Sequence, residues 1–94
     1  MELKPGALFK EEWDQKAPEP GRTYYLIDRV EGGLVALRRF AVFDRKPEMN
    51  TWTKMEGVEP EKIERRLKTP VADPTEVANV LSAFEGVPES VNPL

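Results

Sequence analysis

Two runs rich in β-branched and aromatic side chains, residues 23–30 (TYYLIDRV) and 34–43 (LVALRRFAVF), stand on either side of Glu31, Gly32 and Gly33. Runs of this kind joined by so short a glycine-containing segment signal an antiparallel β-hairpin. The glycines suit it because tight hairpin turns need positive φ, which glycine adopts without a steric penalty. Two registers are open. A three-residue loop sets Val30 opposite Leu34, Asp28 opposite Ala36, Leu26 opposite Arg38 and Tyr24 opposite Phe40. A two-residue loop of Gly32 and Gly33 slides each pair by one, so that Leu26 meets Arg39 and Ile27 meets Arg38. The three-residue loop is preferred, because the slip mixes charged and apolar partners on both faces. It gathers Tyr24, Leu26, Val30, Leu34, Ala36, Phe40 and Val42 on one face, with Asp28 diagonal to Arg38 as an ion pair. The second face holds Tyr25, Ile27, Val35, Leu37 and Phe43 beside Arg29 and Arg39. That face is too apolar to lie wholly in water, so a curled sheet, a helix or a second subunit must cover part of it.

The flanking segments supply shorter elements. Residues 1–4 read as a frayed start, and 7–13 as a first strand with Leu8 and either Phe9 or Trp13 inward, with a helical turn as its competitor because Glu11 and Glu12 are poor strand formers. Residues 14–21 contain two prolines and a glycine, which marks a loop. Residues 51–55 alternate, with Thr51, Thr53 and Met55 on one side and Trp52 and Lys54 on the other, and Gly57 is expected to end that strand. A helix is predicted over 59–68, with Pro60 at its first position and Ile63 and Leu67 as a narrow apolar seam. The residue before Pro70 disfavours helix and stops it. A second helix is predicted over 73–86. Asp73 caps it, Pro74 opens it and Glu76 stands where a capping box places its carboxylate. Val77, Val80, Leu81 and Phe84 form its apolar stripe, and Gly86 is expected to close it in a left-handed conformation. Residues 88–94 read as a loose tail.

The expected architecture is a single α+β domain over residues 1–94. Its mainly β body, residues 1–58, is a small, strongly curved antiparallel sheet or a partly closed barrel centred on the 23–43 hairpin, and two C-terminal helices follow. Over residues 4–67 the order of a turn-rich start, a long hairpin, a short strand and a helical turn resembles SH3-like small barrels, with no motif of that fold matched residue for residue. A chain of 94 residues hides roughly 60–65% of its unfolded surface. That is enough for one core and too little for a deep interdomain cleft.

The chemistry open to the chain is narrow. It has no cysteine and no histidine, which removes disulfides, thiolate metal sites, the commonest general base and the commonest metal ligand. Ser82 and Ser90 have no base near them in sequence. Glu11, Glu12 and Asp14 are a cluster of acids beside a loop, read as a solvated face rather than a cation site. No phosphate loop or dinucleotide fingerprint is present. The chain is therefore read as a non-enzyme with no catalytic residues, cofactor, metal or small-molecule substrate. There is no signal-peptide pattern and no long apolar run, so a cytoplasmic protein without a membrane role is expected. Nine prolines and no cysteine also suit a heat-stable, thermophilic protein.

All 14 basic residues lie between Lys4 and Lys68, whereas residues 69–94 carry Asp73, Glu76, Glu85 and Glu89 and no base. The end of the chain is thus acidic and the body nearly neutral. Tyr25, Arg29, Arg38, Arg39, Trp52 and Lys54 form the candidate interaction face, since Trp, Tyr and Arg are the residue types that anchor interfaces. The leading expectation is a binding or accessory protein that acts through protein–protein association, including self-association as a homodimer. The second is a nucleic-acid-binding small barrel that uses the same arginine and aromatic side chains. The net acidic charge ranks it lower.

Overall fold

The structure, a computed structural model, describes residues 3–13 and 20–87. Residues 1 and 2 of the expected frayed start, most of the 14–21 loop and the 88–94 tail lie outside them, whereas Leu3 packs against the core and the Lys4 carbonyl accepts from the Ala7 amide at 3.1 Å. Five antiparallel strands form one sheet: β1 (Leu8–Glu12), β2 (Gly21–Glu31), β3 (Leu34–Phe43), β4 (Thr51–Val58) and β5 (Thr69–Pro70). Their spatial order is β4-β3-β2-β1-β5. Strands β4 and β5 are therefore opposite edges, and the ladder does not close on itself among the described residues. A short helix α1 (Pro60–Ile63) runs into a 3-10 turn (Glu64–Arg66), and α2 (Pro74–Gly86) ends the described chain.

The hairpin uses parts of both registers. At its tip Glu31 pairs with Leu34, Val30 with Val35 and Arg29 with Ala36. From Ile27 inward the pairs are Ile27 with Leu37, Leu26 with Arg38 and Tyr24 with Phe40. The expected Val30–Leu34 and Asp28–Ala36 pairs are thus replaced. Gly32 and Gly33 have φ of 60° and 77°, the pattern of a two-residue type I′ turn, whose twist matches that of the strands. The core faces demand the other register. A bulge at Asp28, between Ile27 and Arg29, reconciles the two by adding one residue to β2.

Each face of the sheet is covered by the chain itself. On one side Phe9, Tyr25, Ile27, Val35 and Leu37 pack with Ile63 and Leu67, joined by Met55 and Val58. On the other, Leu8, Tyr24, Leu26 and Phe40 pack with Val80 and Phe84 of α2, joined by Trp52, Val77 and Val87. The apolar second face of the hairpin is thus answered by the α1 segment. Adjacent residues Leu8 and Phe9 are both buried, one in each core, as the period of two in a strand requires. Val30 and Leu34, expected on the same face as Tyr24 and Leu26, are 41% and 42% exposed beside the turn.

The helices differ in detail from the expected ones. The 59–68 helix is one α-turn continued as 3-10, although Ile63 and Leu67 are its buried seam. Thr69 and Pro70 then pair with Lys10 and Phe9 as a two-residue strand that nothing in the sequence singles out. Asp73 caps α2 by accepting a hydrogen bond from the Thr75 amide at 3.0 Å. Glu76 does not complete a capping box. Its Oε2 instead accepts from Lys10 Nζ at 3.1 Å and from the Tyr24 hydroxyl at 3.0 Å. Gly86 is not left-handed, and the helix ends at an extended Val87. Leu81 is 39% exposed, outside the buried Val80 and Phe84 seam. Strand β4 runs through Gly57, whose φ of 63° sits in a second irregularity opposite Val35 and Leu37. At the other end of the hairpin a Cβ on Gly21 would collide with the Val42 carbonyl oxygen and the Trp13 ring. Only glycine lets those groups approach.

Candidate association surface

Strand β4 presents the sheet's long unpaired edge. Six of its eight residues pair with β3 on one side, Glu56 and Gly57 standing in the irregularity, and no described strand lies on the other. The opposite edge, β5, has two residues and one of them is Pro70, which has no N–H to offer a further strand. An edge carries a row of free backbone donors and acceptors, so a long one is a template for another chain.

Beside this edge, on the α2 side of the sheet, lies a concavity of about 410 Å³ lined by Arg29, Ala36, Arg38, Trp52, Lys54 and Glu56 among others. Arg38 crosses from β3 opposite Lys54. It is held by Asp28, with Nε at 3.1 and 3.2 Å from the two carboxylate oxygens and Nη2 at 3.0 Å from Oδ1. The expected ion pair is therefore present, supplied by the bulge residue. The guanidinium also lies 5.2 Å from the Phe84 ring centre and 5.9 Å from that of Trp52, within cation–π range. Trp52 donates its indole N–H to the Val87 carbonyl at 2.9 Å, tying the end of α2 to the edge strand.

The six expected interface residues do not share a face. Arg38, Trp52 and Lys54 flank the concavity, and Arg29 joins them because the Asp28 bulge moves it across from the Ile27 side. Arg29 pairs with Glu31 at 3.5 Å and Glu56 at 3.7 Å, both exposed contacts of little energetic worth. Tyr25 is 1% exposed and donates its hydroxyl to Glu11 Oε1 at 3.0 Å. It is a core residue, and burial together with the Glu11 carboxylate raises its pKa. Arg39 is exposed on the α1 side, between Tyr25 and Thr53. Lys54 is exposed and makes no ion pair among the described residues. Glu56 and Asp28, absent from the expected set, complete the charge pattern. The alternation of β4 already places Glu56 beside Lys54 and Trp52.

A second concavity of about 450 Å³ runs along the seam between α2 and the sheet, over Tyr24, Phe40, Val42 and Val80. Its polar groups are largely committed to one another. Glu76 is held below the ordinary carboxylate value, chiefly by the Lys10 hydrogen bond and against the opposing effect of burial, with Tyr24 assisting. Burial, then Glu76, raises the Tyr24 phenol. These groups fasten the helix. Of the acids read as a solvated cluster, Glu11 accepts from Tyr25 and Arg66, and Glu12 pairs with Arg22, while Asp14 lies outside the described residues.

No helix among the described residues is long and apolar enough to cross a membrane. No protein-family model matches the chain, and no curated protein or solved structure matches it.

Proposed function

We propose that this protein acts by binding rather than by catalysis, as an association module that meets another polypeptide, a further copy included, along β4 and the concavity beside it. The observation that carries this reading is the eight-residue edge of β4, unpaired among the described residues and flanked by Trp52, Arg38 and Lys54. Backbone groups along such an edge supply affinity, and the alternate side chains supply selectivity. The hairpin's second apolar face is covered within the chain, so the edge, not a sheet face, is what a partner would complete.

Nucleic acid is the weaker alternative. Arg38 is neutralised by Asp28, Arg29 lies between two glutamates, and Tyr25 is buried and closed to stacking. Light scattering across a concentration series at low and high salt tests the reading. A mass that rises to twice that of the chain and persists in salt supports it. A monomer at every concentration counts against it. In that case a nucleic-acid titration follows, where affinity falling steeply with salt would mark phosphate binding.

A further inference from the structure

We infer that the occupant of the β4 edge is a second copy of the same strand, paired antiparallel about a two-fold axis at Met55. The inference rests on the association reading above and specifies its partner and register. A two-fold axis perpendicular to the sheet keeps each face on its own side, so a residue of β4 can lie opposite only residues of its own face. Trp52, Lys54 and Glu56 occupy the α2 side, and Thr53 and Met55 the α1 side.

The registers that remain differ sharply in charge. With Lys54 on the axis, two lysines face each other. With Glu56 on the axis, two glutamates do. With Met55 on the axis, Lys54 of each copy lies opposite Glu56 of the other, twice by symmetry, and the half-buried Met55 side chains meet on the α1 side. With Thr53 on the axis, Lys54 is set opposite Trp52 and its charge is left unanswered by a carboxylate. Opposite charges directly across an antiparallel pair stabilise it and like charges oppose it. The strand is therefore self-complementary in one register. Lys54, with no ion pair among the described residues, gains a carboxylate there. Glu56, whose one ion pair among the described residues is a 3.7 Å contact to Arg29, would bridge Arg29 and the lysine of the second copy. A lysine on an exposed edge ordinarily discourages pairing. Here a glutamate two residues away makes it a selector of register instead.

The test is a charge exchange read by sedimentation or light scattering. Lys54→Glu and Glu56→Lys should each weaken dimerisation on the order of tenfold, since each sets like charges opposite each other twice. The double variant Lys54→Glu/Glu56→Lys should dimerise more tightly than either single variant, because the exchanged pairs are again opposite in sign, and fall short of the original protein because position 56 then carries a cation beside Arg29. Both side chains are exposed, and an unchanged far-UV spectrum and melting temperature establish that each variant is folded. A dimer indifferent to both single changes, or a folded double variant that fails to recover, overturns this register and leaves association itself standing. A monomer at all concentrations overturns this pairing and the self-association in the reading above.

Discussion

Individual side chains decide how α2 is fastened, and two of them separate its docked seam from its free edge. Phe84 is 5% exposed, with its ring centre 4.8 Å from that of Phe40, whereas Leu81 is 39% exposed on the same helix. Phe84→Ala should cost about 3–5 kcal/mol in urea denaturation, and Leu81→Ala under about 1 kcal/mol. Equal losses would contradict the observed seam. The stripe was legible from spacing, but spacing alone counted Leu81 as part of it. Glu76 shows the opposite limit. Its position three residues after Asp73 spells a capping box, yet Lys10 and Tyr24, 66 and 52 residues away in the chain, compete for it successfully. Since the folded Glu76 titrates below its ordinary value, its contribution is fully present above the unfolded carboxylate value of about 4.3 and is lost as the pH falls through the folded value. Thermal melts from pH 7 to 3 should show Glu76→Gln less stable at neutral pH, with the gap closing toward acid. A gap that stays constant across this range would rule out the ion-pair account of its role.

At the level of elements, the sequence made plain what repeated patterning determines and hid what a conflict determines. The alternation in residues 23–43 identified both faces of the hairpin and the Leu26–Arg38 and Tyr24–Phe40 pairs. It could not reveal the bulge, because Gly32 and Gly33 favour a two-residue turn while the core faces favour the other register, and the added residue satisfies both. That single residue also moves Arg29 to the Arg38 side and leaves Asp28 free to hold Arg38. Strand β5 was invisible, since two residues ending in proline carry no periodicity. Gly33 has φ of 77° and nothing within 4 Å of where a Cβ would stand. A destabilisation of about 1–2 kcal/mol in Gly33→Val would therefore report backbone conformation rather than collision. An unchanged denaturation curve would show that the turn does not depend on that conformation.

Among the described residues, the α1 segment and α2 cover opposite faces of an open sheet, and what stays uncovered is an edge. The sequence suggested association for a different reason, the surplus of apolar surface on the hairpin. Four of its six candidate residues surround the concavity at β4. Tyr25 and Arg39 do not, and strand alternation already placed them on the other face of the sheet from Arg38. The edge itself could not be read from sequence, because which strand lies outermost depends on pairing order, a non-local property. Amide hydrogen exchange measured as a function of protein concentration addresses the central claim most directly. Protection at residues 51–56 should rise as concentration brings chains together, while amides in the β2 core stay unchanged. A dimer that forms with β4 exchange independent of concentration would contradict it and place the contact elsewhere on the molecule.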